Sequence, residues 1–335
     1  MPSPAPARPE PVADAPLLAA PLLEVQDLAK HYPLPGRWFG MAAGVRAVDG
    51  VSFAIGRQET FGLVGESGSG KSTIGRMIAR LIDPSGGRIR FQDRDWLALS
   101  GAALRRERRR VQMVFQSPYA SLDPRWRVAD IVAEPLRTHL RLPAAERRDR
   151  VAGLLQAVGL DPAVADRHPH QFSGGQRQRI GIARAIALEP ELLIADEPVS
   201  ALDVSVQAQI LALLQEIKAR RRLSMLFISH DLSVVAYLCD RVGVLYHGRL
   251  VELAPTRALF DAPRHPYTRA LLAAIPGSGR RREAAPQTAP AGAAPEGCAY
   301  AGRCPHVRDL CRGAAPSLRP DPAGGWVACH RAGEI

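Results

Sequence analysis

One short stretch of the sequence combines residue types that together bind phosphate. It contains a glycine, four residues, a second glycine, a lysine and a serine, which is the spacing of a phosphate-binding loop: Gly65-Glu66-Ser67-Gly68-Ser69-Gly70-Lys71-Ser72. Glycines allow backbone N–H groups to curl around phosphate oxygens. The Lys71 ammonium can reach the β- and γ-phosphates, and the Ser72 hydroxyl can bind Mg²⁺. A chance lysine in a Gly/Ser turn is disfavoured, because only three of the 44 basic residues are lysine and one stands here.

Further polar residues follow apolar runs. Asp196 ends one such run, so its carboxylate is expected at the carboxyl edge of a strand, where Mg²⁺ would bind. Glu197 adds a second carboxylate, which suits activation of an attacking water. His230 and Gln116 each follow another apolar run and could contact a γ-phosphate, metal or water. Alone, either would more often be an ordinary polar residue; their order along the chain is what favours a site.

A second anion site is predicted where Ser173-Gly174-Gly175-Gln176 begins a helix. Backbone N–H groups at a helix start are free to bind an anion, and glycines allow it to approach closely. The same four residues are also a common turn, so by themselves they do not establish a site.

Alternating strands and helices are predicted to hold these residues in place. Strand character occurs at 22–32, 48–55, 60–64, 88–91, 111–115, 192–195 and 225–228, and 242–246 with 249–253 predicts a hairpin. Helical patterns follow the phosphate loop and occupy 117–171, 173–186 and 206–217. This alternation predicts an α/β fold with a mainly parallel sheet covered by helices on both faces, preceded by an antiparallel β piece.

Composition excludes some classes of protein. The chain has 335 residues and a net charge of +11, which is compatible with nucleic acid, anionic lipid or nucleotide and selects none of them. No apolar run reaches the ~18 residues that a membrane span needs. Residues 1–21 are rich in Pro and Ala and lack the pattern of a signal peptide, so they are predicted to be a disordered tail.

Four of the five cysteines lie beyond a Pro/Ala/Gly/Arg-rich linker at 276–297: Cys298, Cys304, Cys311 and Cys329. The phosphate loop implies a reducing compartment, where clustered cysteines favour metal binding over disulfides. The spacings lack the Cys-x₂-Cys pairs that are usual in zinc ribbons. A site made only of thiolates would suit either an iron–sulfur cluster or zinc. A [4Fe–4S] cluster, zinc, and buried thiols without metal all remain open.

Taken in order, these motifs resemble those of ATP-binding-cassette ATPases, from about residue 22 to 261. The phosphate loop matches Walker A, Asp196 ends Walker B, Glu197 matches the catalytic glutamate, Gln116 the Q-loop glutamine and His230 the switch histidine. Ser173–Gln176 matches the signature motif, with Phe172 where leucine is commoner, and the stretch ending at Asp203 matches the D-loop. The implied fold is a P-loop NTPase cassette with a helical subdomain at about 117–171.

The resemblance implies ATP and Mg²⁺ as cofactors. Catalytic roles fall to Glu197, His230, Gln116 and Lys71, and Mg²⁺ would be held by Ser72, Gln116 and Asp196. Contacts with ATP are implied for Tyr32 (on adenine), Gly65, Glu66, Ser67, Gly68, Ser69, Gly70, Lys71, Ser72, Thr73, Gln116 and Asp196, and across a dimer for Ser173, Gly174, Gly175, Gln176 and Asp203. A single cassette must dimerise, because the signature of one protomer closes the ATP site of the other.

Three stretches are similar to the ATPase subunits of oligopeptide/dipeptide importers, namely 115–125, 196–205 and 265–272. The insertion 33–44 favours the second, "F"-type subunit. Residues 262–335 resemble the C-terminal extension of these subunits, and 297–305 resembles a cysteine motif that holds [4Fe–4S] in some members. The implied function is ATP hydrolysis that powers uptake of di- or oligopeptides across the inner membrane.

The resemblance also implies partners and a location. The partners are a sister ATPase or a second copy in a head-to-tail dimer, two membrane permeases and an extracytoplasmic peptide-binding protein. The location is peripheral, on the cytoplasmic face of the inner membrane. A soluble cassette ATPase acting on ribosome or nucleic acid is the alternative. It is disfavoured because such proteins resemble fused pairs of cassettes, and this chain has one Walker A. A non-hydrolysing regulatory module is disfavoured because the catalytic residues are all present.

Overall fold

A computed structural model of the chain describes residues 20–33, 44–275, 297–322 and 324–335. The predictions for the tail 1–21, the insertion 33–44 and the linker 276–297 fall outside these residues, apart from their ends. The strands are β1 Leu23–Tyr32, β2 Val45–Ile55, β3 Thr60–Val64, β4 Gly86–Phe91, β5 Arg94–Asp95, β6 Val111–Val114, β7 Leu192–Asp196, β8 Ser224–Ser229, β9 Arg241–Tyr246, β10 Arg249–Pro255, β11 Arg319–Pro320 and β12 Trp326–Val327. The helices are α1 Lys71–Ile78, α2 Gly101–Arg108, α3 Pro118–Ser121, α4 Val128–His139, α5 Ala144–Ala157, α6 Gly174–Ile186, α7 Val204–Arg221, α8 Leu232–Leu238, α9 Thr256–Asp261, α10 Pro266–Ala273 and α11 Asp309–Gly313.

The main sheet has the strand order β11-β12-β10-β9-β3-β8-β7-β6. Strands β9, β3, β8, β7 and β6 run parallel, and every residue of β3, β7 and β8 is buried. Helices α6, α7 and α8 cover one face, and α1 with strands β1, β2 and β4 covers the other. The carboxyl ends of β3, β7 and β8 therefore lie side by side, and the phosphate loop, Asp196 and Ser229 follow at one edge. The predicted α/β class with a mainly parallel sheet is confirmed.

The predicted antiparallel piece is also present. Strands β2, β1, β4 and β5 form a separate sheet in that order, with β1 antiparallel to β2 and to β4. It packs on the main sheet through apolar side chains, including the stacked rings of Phe53 and Phe61, whose centroids are 4.9 Å apart. Tyr32, at the end of β1, pairs with Val45 of β2, and Ala47 of β2 lies against Gly70 of the phosphate loop. Tyr32 is therefore on the side of the molecule where the phosphate loop lies.

Helices α3, α4 and α5 occupy most of the segment predicted to be helical, with two 3₁₀ turns at Pro162–Asp166 and Pro169–Gln171. Apolar residues recur at helical spacing in α4 and are buried: Val128, Ile131, Val132 and Leu136. They share one core with the buried face of α5 and with α6. Since α6 begins at the signature stretch, this packing fixes the position of that stretch.

The C-terminal extension joins the main sheet, which the sequence does not predict. Strand β12 pairs with β10 through Glu252 and Leu253, and β11 pairs with β12. These strands satisfy backbone groups that β10 would otherwise leave unpaired at a sheet edge. At two residues each they are too short for periodicity to reveal them. Tyr300 and Cys304 enter the main core, so residues 297–335 are built onto the cassette.

Candidate functional site

The phosphate loop takes a conformation that only glycine permits at two points. Gly65 and Gly70 have φ of 152° and 105°, in the region that side chains disfavour. A Cβ on Gly65 would collide with the backbone oxygen of Leu245 in β9, and one on Gly70 with that of Ala47 in β2. The loop therefore lies between β9 of the main sheet and β2 of the antiparallel sheet, in close contact with both. Helix α1 begins directly after Gly70. The glycines therefore give this loop a tight backbone turn of the kind by which phosphate-binding loops present N–H groups to an anion.

Lys71 is held inside this loop. Its Nζ donates to the carbonyl oxygens of Gly65 at 2.8 Å and Glu66 at 2.9 Å, and its side chain is buried. Burial lowers the pKa of Lys71, and the nearby carboxylates, chiefly Glu197 and Asp196, oppose that shift. The ammonium therefore lies inside the loop, bonded to two carbonyl oxygens and close to two carboxylates.

Ser72 and Asp196 meet at the start of α1. The Ser72 hydroxyl donates to Asp196 Oδ1 at 2.7 Å, and Asp196 is only 1% exposed. Burial raises the pKa of Asp196, while the hydrogen bond from Ser72 lowers it. A hydroxyl and a carboxylate at this distance are suitable oxygen ligands for Mg²⁺, which keeps several waters and needs few protein ligands. The residues present fit the predicted metal.

Glu197 stands at the centre of the remaining predicted residues. Its carboxylate Oε2 accepts a hydrogen bond from Gln116 Nε2 at 2.8 Å and lies 3.3 Å from His230 Nδ1. Its backbone has φ of 45°, an unfavourable value for a residue with a side chain, and its N–H donates to the oxygen of Ile228. The structure thus brings together three side chains that are 81 and 33 residues apart in sequence.

The signature stretch forms a capping box at the start of α6. The Ser173 hydroxyl accepts from the Gln176 N–H, and the Gln176 side chain accepts from the Ser173 N–H. A Cβ on Gly175 would collide with Val206, so this glycine is also required for α6 to approach α7. Ser173 and Gln176 are exposed and form hydrogen bonds with each other. The hydrogen bonds of Lys71 and Glu197 are made with other residues. The stretch therefore faces outward.

Two further predicted residues lie at element ends. Tyr32 is the last residue of β1 and is 40% exposed, with Lys30 Nζ 5.2 Å from its ring centre. Asp203 is the exposed N-cap residue of α7, and Val204 beside it is 82% exposed.

The five cysteines, all within the described residues, are free thiols. Cys304, Cys311 and Cys329 are buried and Cys298 partly so, with the Cys298 N–H bonded to the Cys311 oxygen. Burial raises the pKa of Cys298, of Cys329 and of Cys304, the last to about 11, and neighbouring thiols of the cluster add to each rise. Within the part of the chain that is described, no three His, Cys, Asp or Glu side chains are arranged to hold a metal. The thiols are neighbours, but they do not form a ready metal site.

Two residues at the site were not among the predicted ones. The backbone N–H of Glu66 donates to the Tyr267 hydroxyl at 2.9 Å, and Arg303 Nη1 lies 3.0 Å from both oxygens of the Glu66 carboxylate. Tyr267 belongs to the stretch that resembles the start of the importer extension, and Arg303 lies within the cysteine motif. Neither stretch carries any sequence signal that it reaches the phosphate loop.

Comparison with known proteins agrees with this geometry. Residues 48–200 match the family described as ABC transporter, and residues 251–311 match the oligopeptide/dipeptide transporter C-terminal region. The oligopeptide transport ATP-binding protein AppF of Bacillus subtilis is 47% identical over 319 residues, which span 92% of this chain and 97% of AppF. Among the described residues, no helix has the length and apolar character needed to cross a bilayer.

Two solved structures share the fold. The dimeric post-hydrolysis structure of the ATP-binding cassette MJ0796, bound to ADP and Pi, is 28% identical with a TM-score of 0.63, and covers 70% of this chain and 99% of that one. The structure of cbiO1 from Clostridium perfringens, part of the ABC transporter complex cbiONQ, is also 28% identical with a TM-score of 0.63, and covers 72% of this chain and 92% of that one. On its motifs, its fold and its identity to AppF, the chain belongs to the ABC transporter ATP-binding family, in the group that carries the oligopeptide/dipeptide transporter C-terminal region.

Proposed function

We propose that this chain is the ATP-hydrolysing subunit of an importer that takes up di- or oligopeptides. The observation that carries the proposal is that one chain contains both a complete set of cassette residues and the oligopeptide-transporter C-terminal region. The test is uptake of a labelled peptide by proteoliposomes containing this subunit and the permeases and binding protein encoded beside it. Uptake should require enclosed ATP. Hydrolysis that responds to ribosomes or DNA and not to the permeases would favour the soluble-cassette alternative.

The phosphate loop holds the nucleotide in this proposal. Backbone N–H groups of the loop bind phosphate oxygens, Lys71 binds the β- and γ-phosphates, and Tyr32 offers its exposed ring to adenine. Mg²⁺, when bound, neutralises charge that develops on the phosphates. The residues that would hold this Mg²⁺ are Gln116 and the pair Ser72 and Asp196, whose oxygens are 2.7 Å apart.

Glu197 orients and polarises the attacking water. Gln116 and His230 both contact its carboxylate, so they fix its direction and respond together when a γ-phosphate is present. Gln116 and His230 lie at the ends of different strands, and either can move without unfolding the sheet. Transfer then depends mainly on positioning and electrostatics.

The exposed signature stretch and Asp203 bind the ATP of a second cassette in a head-to-tail dimer. The second cassette is a sister ATPase or another copy of this chain. The exposed Val204 beside Asp203 gives this interface an apolar contact. ATP bound between the two cassettes would draw them together, and hydrolysis would release them.

Two membrane permeases and an extracytoplasmic binding protein complete the transporter, and the ATPase lies peripherally on the cytoplasmic face of the inner membrane. The permease contact that we propose is a cavity of about 310 Å³ between β6 and α4, lined by Leu81, Met113, Phe115, Glu134, Pro135 and His139. Of the side chains just after Gln116, Tyr119 and Trp126 are exposed, and Tyr119 stacks on the Arg177 guanidinium. Leu122, which lies between them in the sequence, is buried inside the helical subdomain and is not available for such a contact.

A charged residue introduced at the proposed permease contact, either in the cavity or at the exposed side chains after Gln116, should uncouple ATP hydrolysis from peptide transport. We expect Leu81→Glu and Trp126→Glu to lower peptide uptake about 10-fold or more, since an ion would replace an apolar contact in a desolvated interface. ATPase activity of the isolated subunit should persist. Leu310→Glu is the matched control, because Leu310 is a leucine of the extension that is 60% exposed, against 50% for Leu81. Normal uptake by both test variants in proteoliposomes would contradict this surface.

For the cysteine cluster we propose [4Fe–4S] as the occupant, ahead of zinc or bare thiols. Support comes from four clustered thiols in a short segment and from thiolate-only ligation, which suits such a cluster. The absence of a ready metal geometry among the described residues means that the thiols would have to rearrange on binding. The ATP residues are complete without it, so its role would be structural or redox-sensing.

The metal content is directly measurable. We expect the anaerobically purified chain to contain iron and sulfide and to absorb visible light, and Cys304→Ser to abolish both while ATP binding survives. Cys239→Ser is the control, because Cys239 is buried elsewhere in the core. Colourless protein without iron, sulfide or zinc, purified from cells able to build clusters, would leave only buried thiols.

A further inference from the structure

Every polar group of Glu66 has a partner, and the partners come from two distant parts of the chain. Its carbonyl oxygen accepts hydrogen bonds from Lys71 Nζ at 2.9 Å and from the Ser69 N–H at 3.2 Å, both within the phosphate loop. Its N–H and its carboxylate bind Tyr267 and Arg303 of the C-terminal extension. Glu66 is therefore the residue through which the extension and the catalytic lysine are joined.

Tyr267 is aimed at the loop by the local chemistry of its own motif. His265 caps α10 by accepting the Tyr267 N–H on Nδ1, and Pro266 occupies the first helical position, where a missing N–H costs nothing. Burial lowers the pKa of His265 to about 3, so the ring stays neutral and can accept. The buried carboxylate of Glu252, in β10, accepts a hydrogen bond from the backbone N–H of His265, which fixes the motif to that strand. The Tyr267 hydroxyl is thus held rigidly.

Arg303 is held by aromatic packing. Tyr300, three residues before it, is 3% exposed and packs against Tyr246 with ring centroids 5.3 Å apart and against Tyr267 at 5.4 Å. Tyr246 ends β9, next to Leu245, whose carbonyl the phosphate loop touches at Gly65. The three tyrosines therefore fill the space between the extension and the loop, and the Arg303 guanidinium emerges beside Glu66.

We infer that Tyr267 and Arg303 are positioning residues for ATP, acting through Glu66. The structural reason is that the peptide unit joining Gly65 and Glu66 presents its N–H to Tyr267 at 2.9 Å and its carbonyl oxygen to Lys71 at 2.8 Å, so its orientation sets where the ammonium lies. Arg303 restrains the same residue through one nitrogen, Nη1, which lies 3.0 Å from both oxygens of the Glu66 carboxylate in a charge-assisted contact. Through this contact, a change in the cysteine motif around Arg303 would be felt at the phosphates. The inference rests on the proposed ATP site and adds to it two residues from outside the cassette motifs.

The size of the expected effect follows from exposure. Arg303 and Glu66 side chains are 50% and 42% exposed, so their pair is partly screened by water. We expect Arg303→Ala to raise the Kd and the KM for ATP about two- to five-fold. Tyr267→Phe removes only the oxygen that satisfies the Glu66 N–H, and we expect a rise of about two- to ten-fold. The kcat should change little in both, because looser loop geometry weakens binding of ATP and of the transition state alike.

The experiment measures ATP affinity and steady-state hydrolysis by the full-length chain, together with a double-mutant cycle. Arg303→Ala, Glu66→Gln and the double variant are compared. If Arg303 acts through the Glu66 carboxylate, Arg303→Ala should have no further effect once Glu66→Gln is present. Arg303→Lys, which keeps the charge, should restore part of the affinity. The control is Arg308→Ala, because Arg308 is an exposed arginine of the same extension that pairs with Glu334.

The outcomes separate the two proposals. No ATP binding by the unsubstituted chain would refute the ATP site itself. Normal ATP binding with additive effects in the cycle, or with a lower melting temperature and unchanged Kd and KM, would overturn the positioning role. A raised Kd that is lost in the Glu66→Gln background, with Arg308→Ala unchanged, would establish it.

Discussion

Replacing Glu197 by glutamine is expected to stop ATP turnover while leaving ATP binding intact. The amide keeps the size of the side chain and can still bond to Gln116, but it cannot polarise water as a carboxylate does. General-base roles of this kind contribute about 10²–10⁴-fold, so hydrolysis should fall by that factor in a phosphate-release assay. Because ATP stays bound, the variant should accumulate as a stable dimer, which size-exclusion chromatography with ATP would detect.

The control for this variant is Glu216→Gln, since Glu216 lies on α7 and pairs with Arg220 at the surface. It should hydrolyse ATP normally. Full hydrolysis by the Glu197→Gln protein in its assembled complex would contradict the role of Glu197. Loss of ATP binding in that variant would point instead to damage of the phosphate loop.

Replacing Lys71 by alanine is expected to remove ATP affinity. Hydrogen bonds to charged groups contribute about 1.5–3 kcal/mol, which corresponds to a loss of about 10- to 150-fold in affinity for one such bond. The carboxylates of Asp196 and Glu197 would also lose a nearby cation, so their repulsion of ATP would grow. Binding of a fluorescent ATP analogue measures the change.

Lys218→Ala is the matched control, because it removes another of the three lysines, one that pairs with Asp240 at 2.9 Å. Its ATP affinity should be unchanged. Lys71→Ala protein that bound ATP normally would show that the loop does not hold the nucleotide through this residue. Circular dichroism on both variants would separate a binding defect from unfolding.

The elements that build the ATP site were predictable because each has a strong local signal. Strands β3, β7 and β8 are continuous apolar runs, since parallel strands are buried on both faces. The chemistry follows directly at their carboxyl ends, so Asp196, Glu197 and the phosphate loop could be located from order alone. The hairpin β9–β10 carried its own turn signal at His247-Gly248, where both residues have positive φ.

The sequence did not reveal contacts that depend on packing between distant segments. Leu122 lies between the exposed residues Tyr119 and Trp126 along the chain, yet it is only 3% exposed, because it packs into the core that α4, α5 and α6 share. Gly175 was assigned to anion binding, and the structure adds that Val206 of α7 leaves no room for a side chain there. Neither fact can be read from residue type or spacing.

What the sequence alone determined is the residue set of the proposed ATP site, because glycine, lysine, serine and carboxylate at fixed spacing admit few other chemistries. What only the tertiary structure decided is how that set is held. Glu197 meets Gln116 and His230 because three strand ends share one sheet edge. The extension contacts the loop because β12 completes the sheet beside β10 and three tyrosines pack against each other. Such contacts join segments up to 237 residues apart, as between Glu66 and Arg303, and no local pattern encodes them.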